Sequence, residues 1–284
     1  PKVVFPYRQD SPNVRRQPGR PWSLWSPGSF RESPMTAPFK DHFSTGSANY
    51  AAHRPTYPAQ LVDELAALCP GTRLALDCGC GTGQLTVLLA ERFERVVGTD
   101  ASAAQIDKAQ ARERVEYRVA LAEDSGLAAA SADLVTVAQA AHWLDLPRFY
   151  EEVRRVARAD AILALVTYGV LHVDGPMEPL VQHFYHQVVG PYWPAERRHV
   201  EEGYRNLPFP FEERRLPDLA IEVAWTLDEL LGYVGTWSAV KEAGKALGQD
   251  PGAAFVDELR EAWGDPQTRY RVSWPLTVRA GVIR

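Results

Sequence analysis

One stretch restricts the fold of this 284-residue chain more than any other: Leu74-Ala75-Leu76-Asp77-Cys78-Gly79-Cys80-Gly81-Thr82-Gly83-Gln84. An apolar run stops at an aspartate and breaks into alternating glycines before a helical pattern begins, which reads as strand, tight turn and helix start. A backbone that reverses so sharply and lets a ligand approach closely cannot carry a Cβ at every position, so the turn is a binding surface. Val96-Val97-Gly98-Thr99-Asp100 then reads as a second strand ending in a carboxylate, about 20 residues beyond the glycines, where doubly wound folds place the acid that holds a ribose. The glycines run G-x-G-x-G, with Gln84 where a dinucleotide fingerprint has its third glycine. Asp77 at the strand end would repel a pyrophosphate but suits a ligand carrying an ammonium or sulfonium. Both features disfavour a nicotinamide-dependent oxidoreductase, which stays as the more distant alternative.

Leu76-Asp77-Cys78-Gly79-Cys80-Gly81-Thr82-Gly83 resembles the first motif of class I S-adenosylmethionine-dependent methyltransferases, and Asp100 is similar to their ribose-binding acid. Val135-Thr136-Val137-Ala138-Gln139-Ala140-Ala141-His142-Trp143 and the upstream Tyr50-Ala51-Ala52-His53-Arg54-Pro55-Thr56-Tyr57-Pro58 narrow the resemblance to the trans-aconitate methyltransferase group. It covers Phe39 to Tyr168 well and the remainder loosely. The fold it implies is α/β, a doubly wound, mostly parallel sheet with a helical cap inserted before the last strands. The cofactor it implies is S-adenosyl-L-methionine.

Composition narrows the partners. With 31 basic and 36 acidic side chains the formal net charge is -5, and no long basic run lies in the body of the chain, so nucleic acid is not expected. No apolar run approaches the roughly 20 residues that span a bilayer, and no signal-peptide core opens the chain, so the expectation is a soluble, cytoplasmic protein away from membranes. Cys69, Cys78 and Cys80 are odd in number and lack a C-x-x-C spacing, which argues against a disulfide framework or a zinc site. A small-molecule acceptor is the expected partner, and no metal is expected. The sequence does not set the oligomeric state.

Along the chain, residues 1–34 are rich in proline, serine and arginine without a period, and read as a disordered extension ahead of a natural start at Met35. Residues 35–168 form the expected cofactor-binding core, 169–210 a helical cap over the active site, and 211–284 the remainder of the core with closing antiparallel strands. Pro58 opens a helix whose apolar positions Leu61, Val62, Leu65 and Leu68 recur at three and four before Pro70-Gly71. Leu85, Leu88 and Leu89 mark the next helix, and Ser102-Ala103-Ala104-Gln105 reads as a capping box opening a helix to about Arg112. Strands are expected at Val115–Val119, Asp133–Ala138 and Ala161–Tyr168, with a helix opened by Pro147 between the last two. Beyond Tyr168, helices are expected over Leu180–Val189 and Leu227–Val240, and a closing strand over Val272–Ile283.

The candidate site follows from this order. Tyr50 and Arg54, four apart, could share one face of a turn, where a guanidinium could clamp a carboxylate of the cofactor. Asp77, Gly79, Gly81, Gln84, Asp100 and Ala101 belong to the turn and the second strand end. By resemblance Ile106 covers one face of the adenine, although a buried stripe residue accounts for it nearly as well, and Ala122 and Glu123 meet the adenine edge. The fourth strand delivers Gln139, Ala140, His142 and Trp143 to the cleft, since ligands bind at the carboxyl ends of strands in open α/β sheets. His142 is the candidate catalytic base. Trp143, Tyr168, Tyr192, Arg197 and Tyr204 are candidate substrate contacts, beside Trp193 and Arg198.

A methyl on a sulfonium is already electrophilic, so positioning carries most of the rate. A carboxylate acceptor would need an arginine to orient it and no base, whereas a hydroxyl or amine would need a base such as His142. The sequence is compatible with both, and with a cofactor-binding protein that lacks transferase activity.

Overall fold

The computed structural model describes residues 56–284. Five strands alternate with helices in its first half: β1 (Leu74–Cys78), β2 (Arg95–Asp100), β3 (Val115–Val119), β4 (Ala132–Ala138) and β5 (Ala157–Tyr168). All four pairings among them are parallel, in the order β3-β2-β1-β4-β5. β1 and β4 are buried along nearly their whole length because helices cover both faces of a parallel sheet. The period of two then divides the side chains of β1, β4 and β5: Ala75, Leu134, Ile162 and Ala164 enter one core, Leu76, Cys78, Val135 and Leu163 the other.

Helix α1 (Ala59–Leu68) seals the first face with Leu61, Val62 and Leu65. Two helices expected to be longer are single turns, α2 (Thr86–Leu89) and α3 (Ala103–Ile106). The capping box expected at Ser102 is absent: its side chain makes no cap bond, and its N–H donates instead to Asp100 Oδ1 at 2.8 Å. The chain leaves the helix early because Gln110 N–H donates to the carbonyl of Thr82 at 3.1 Å, drawing it back onto the glycine turn. On the opposite face α4 (Leu146–Val156) has Asp145 as its N-cap and buries Phe149, Val153 and Val156.

After β5 come the short β6 (His172–Val173), α5 (Glu178–His183), a π-helical turn (Phe184–Val188), a 3-10 turn (Gly190–Tyr192) and α6 (Arg197–Glu201). β7 (Glu212–Arg214) and β8 (Ala220–Trp225) follow. The single helix expected over Leu227–Val240 is two, α7 (Leu227–Val234) and α8 (Ser238–Leu247). Between them the Thr236 hydroxyl takes the Tyr233 carbonyl at 2.6 Å, and a side chain that captures a helix carbonyl helps to end the helix. α9 (Ala253–Trp263), which lies outside the elements expected from sequence, precedes the closing β9 (Tyr270–Val282).

β9 runs antiparallel to β5 over its second half and to β6 and β8 over its first. Pro275 sits at the exchange of partners, between Ser273, the last residue of β9 opposite β6, and Leu276, the first opposite β5, where a missing N–H costs least. The packing joins the segment after β5 to the C-terminal helices: Phe184 stacks on Phe255 at 4.2 Å between ring centres, and Tyr185 meets Trp237 edge-on at 5.3 Å.

Candidate functional site

The glycine turn follows β1 with its backbone in the left-handed region, at φ +63° for Gly79 and +56° for Gly81. A Cβ on Gly79 would lie 2.8 Å from the Cβ of Ala140, so the β1 and β4 ends approach too closely for any other residue. At Gly81 the nearest atoms to such a Cβ are the amide oxygens of Gln84 and Gln105, both 3.9 Å away, which leaves the surface of the turn open. Asp100, at the end of β2, accepts from Gly81 N–H at 2.9 Å through one oxygen and from Ser102 N–H at 2.8 Å through the other. A carboxylate oxygen has room for a second donor, so Asp100 holds the turn and keeps capacity for a diol.

Asp77 lies beneath this turn, 1% exposed, accepting from the hydroxyls of Thr86 at 2.7 Å and Thr136 at 2.8 Å. Burial pushes its carboxyl up to about 6, the two hydroxyls pull it down, and the Asp100 charge raises it again. Sequence reasoning placed Asp77 facing a ligand and missed both threonines. The structure makes it a support under the turn, acting on a ligand through its field.

The remaining cofactor-side candidates divide. Gln84, Ala101 and Ile106 are partly exposed around the turn, and Ala122 is buried at the loop after β3. Glu123 uses Oε1 to accept from Asp145 N–H at 2.9 Å, capping the loop that leads into α4. Gln139 has φ +58°, and its side-chain amide is tied at both ends to β5, donating to the Tyr168 carbonyl and accepting from the Thr167 hydroxyl, each at 2.9 Å. It fastens the strand ends together, and Ala140 packs on Gly79. Tyr50 and Arg54 lie outside the described residues. Burial raises the thiols of Cys78 and Cys80, so neither is a thiolate at neutral pH.

His142 lies in a 3-10 turn after β4, its ring 4.7 Å from that of Trp143, which is 38% exposed. Its Nδ1 is 2.9 Å from the hydroxyl of Tyr204. Burial, then the charges of Arg197 and His199, press its pKa down to about 4. The ring is therefore neutral and weakly basic at physiological pH, which is poor equipment for a general base. Tyr204, expected as a substrate contact, is fully buried and reaches His142 instead. Tyr168, also expected there, is 6% exposed and packs edge-on against Tyr57 at 6.1 Å. Tyr192 packs against the larger core.

Arg197 is the candidate that the structure sets apart. Its Nε donates to the Tyr185 hydroxyl at 2.8 Å, which donates in turn to Glu201 at 2.8 Å. Its guanidinium lies over the rings of Trp193 at 4.9 Å and Tyr185 at 5.7 Å. Among the described residues no carboxylate forms an ion pair with it, whereas Arg198 pairs with Glu202 at the surface. The indole Nε1 of Trp193 is buried without a hydrogen-bond partner. Tyr185 and Glu201 were not anticipated, since nothing in their spacing marks them.

A methyltransferase-domain family model matches residues 76–165. A candidate methyltransferase of Dictyostelium discoideum is 35% identical over 237 residues, spanning 81% of this chain and 90% of that protein. The solved structure of a candidate type II methyltransferase from Anaeromyxobacter dehalogenans is 50% identical, superposes with a TM-score of 0.79, and covers 81% of this chain and 98% of its own. A candidate S-adenosylmethionine-dependent methyltransferase of Saccharomyces cerevisiae is 34% identical over 144 residues, 48% of this chain and 49% of that one. The chain belongs to the class I S-adenosylmethionine-dependent methyltransferases. The methyltransferase has the mostly parallel sheet of that fold, and S-adenosylmethionine is its cofactor.

The residues present fit that cofactor. The open face at Gly81 admits a ligand backbone-close, and Asp100 retains acceptor capacity for ribose hydroxyls. Asp77 and Asp100 form no ion pair with a cation among the described residues, so their joint field favours a ligand bearing positive sulfur and ammonium over a diphosphate. Among the described residues no three His, Cys, Asp or Glu side chains group as a metal site, and no helix is long and apolar enough to cross a membrane.

Proposed function

We propose that this methyltransferase esterifies a carboxylate of a small organic acid, as the resemblance to the trans-aconitate methyltransferase group implies. The observation that carries this reading is Arg197, a half-buried guanidinium framed by Tyr185 and Trp193 that forms no direct ion pair with a carboxylate among the described residues. The nearest carboxylate, Glu201, reaches Arg197 only through the Tyr185 hydroxyl, so the guanidinium keeps a direct place for a bound carboxylate, whose planar geometry it prefers. His142, weakly basic and in the field of Arg197, belongs to the same electropositive neighbourhood.

Bound S-adenosylmethionine supplies an electrophilic methyl group. The chain has to hold an acceptor oxygen in line with the departing sulfur at roughly 3 to 3.5 Å and keep water away. As the oxygen–carbon bond forms, the electron pair of the carbon–sulfur bond returns to sulfur. A carboxylate gives up no proton in this step, so a site without a competent base suffices. On this reading the helical segments from Glu178 to Glu201 cover the cleft and Arg197 presents its charge to the acceptor from there. Trp143 is then a wall of the pocket.

Radiolabelled S-adenosylmethionine offered with a panel of small carboxylic acids, trans-aconitate among them, and phenols tests the reading. Base-labile methyl esters of acids are the expected products. Label confined to the phenols would replace the carboxylate with a hydroxyl acceptor. Cofactor binding without transfer to any member of the panel would favour a binding protein.

A further inference from the structure

Tyr204 is seated with unusual firmness for a residue outside regular structure. Its backbone has φ +58°, in the left-handed region that side chains rarely occupy, and it follows Gly203 at φ +60°. A Cβ on Gly203 would meet the Thr277 hydroxyl at 2.8 Å, so the turn lies directly on β9. From β9, Arg279 donates through Nη1 to the carbonyls of Tyr204 at 2.9 Å and Leu207 at 2.8 Å. The same guanidinium pairs with Glu213 and lies 4.7 Å from the ring of Phe209. Backbone strain persists where surrounding contacts over-determine it, and such places concentrate at functional sites.

What this seating delivers is one hydroxyl to one nitrogen. The Tyr204 phenol is fully buried, and its hydrogen bond goes to His142 Nδ1 at 2.9 Å. Two other groups stand near the phenol oxygen, the Ala141 amide and the Thr167 hydroxyl. The amide can only donate. The Thr167 hydroxyl spends its own proton on Gln139 Oε1 at 2.9 Å, whereas His142 Nδ1 lies at full hydrogen-bond distance from the phenol, 2.9 Å. A buried O–H left without an acceptor is costly, so the phenol proton goes to Nδ1 and the imidazole proton must sit on Nε2. Nε2 has no hydrogen-bond partner among the described residues, and it is not one of the buried unpartnered atoms, so it is open.

We propose that Tyr204 is a positioning residue that fixes His142 as the neutral Nε2–H tautomer, so that the imidazole offers the methyl acceptor a hydrogen-bond donor in place of a base. This rests on the methyl-transfer reading of the cleft and specifies how one of its walls is protonated. The acceptor side then presents two donors, the Arg197 guanidinium and the His142 Nε2–H. Such a pair selects an oxyanion already formed and disfavours a neutral hydroxyl that must lose its proton.

The test is long-range proton–nitrogen NMR on the full chain with histidines labelled by nitrogen-15, the His142 signals being those lost in His142→Gln. The expected spectrum at neutral pH has a protonated Nε2 and an unprotonated Nδ1 at His142. That state should persist under acid titration to well below the ordinary imidazole range, with Arg197, His199 and Tyr204 as the charged or titratable groups facing the ring. In Tyr204→Phe the Nδ1 signal, deprived of its donor, is expected to shift and the tautomers to redistribute. A protonated Nδ1 in the unaltered protein, as when the phenol proton goes to Thr167, overturns the proposal with no variant needed. An unchanged His142 signature in a folded Tyr204→Phe overturns it as well. Calorimetry with S-adenosylmethionine on the same samples separates the two ideas: absent binding removes the transferase reading, while the nitrogen spectrum still reports the tautomer.

Discussion

The two sides of the cleft are made by different means. On the cofactor side the reactive surface is mostly backbone: a glycine turn, two amides donating to Asp100, and a carboxylate sealed beneath. Its parts lie within a short run of sequence, and parallel pairing of β1 with β2 brings Asp77 opposite Gly98 and Cys78 opposite Thr99. On the proposed acceptor side the contacts come from far apart: His142 meets the Tyr204 hydroxyl across 62 positions, and Arg279 reaches the Tyr204 carbonyl across 75. The first side is the one proposed to hold the cofactor. The second can diverge freely, because no single local pattern has to be kept.

The sharpest way to break the contrast is Gly79→Ala. At φ +63° and 2.8 Å from Ala140, the added methyl must strain the turn or part the strand ends, and a loss of about 2 to 5 kcal/mol is expected. Denaturant midpoints and calorimetry with S-adenosylhomocysteine measure it. Full stability with normal binding would show that the turn does not depend on backbone closeness.

Arg197→Met keeps much of the volume and removes the charge. It should raise the KM for a carboxylic acid by roughly ten- to a hundredfold, the scale of one charged hydrogen bond, and leave cofactor affinity unchanged. Equal losses on both sides would mean that the cleft does not divide as described. Asp100→Ala should do the converse, weakening cofactor binding by about 1 to 3 kcal/mol through the lost hydroxyl acceptor and the released Gly81 and Ser102 amides.

The smallest expected effect is the pH dependence. The Asp77 carboxyl is pushed up to about 6, so in the free protein it gains its charge only as pH rises through that value. A cationic ligand favours the charged form and lowers this pKa on binding. Cofactor affinity is therefore expected to climb toward pH 6 and level off above it, by no more than about tenfold per pH unit for a single proton. The same raised pKa makes the fold bind this proton more tightly than the unfolded chain does, so the carboxyl costs stability progressively from about pH 4 to about pH 6. At saturating cofactor the rate should show no limb in the ordinary imidazole range, because His142 is held near 4. Proton release on binding, measured in buffers of differing ionisation enthalpy, and a kcat profile check the two halves separately.

The strand ends and the glycine turn were legible because their signals are local: an apolar run, a carboxylate and glycines in fixed spacing. The short helices were not. Ser102 has the residues of a capping box, yet its N–H turns to Asp100, and Gln110 is pulled to Thr82, both outcomes of the turn's own folding. Gln139 carried the right address at the end of β4, but its amide is committed to Thr167 and Tyr168 on the neighbouring strand.

By itself the sequence determined the doubly wound sheet, the nucleoside-binding turn and the sign of charge that turn tolerates, because backbone conformation and strand period are set by neighbours along the chain. Only the tertiary structure decided that Asp77 lies under the turn, that Tyr204 faces a histidine, and that Arg197 reaches Glu201 through the Tyr185 hydroxyl. Burial and hydrogen-bond partnership depend on what other elements bring to a point in space. They settle a side chain's protonation and charge balance, which a residue's identity leaves open.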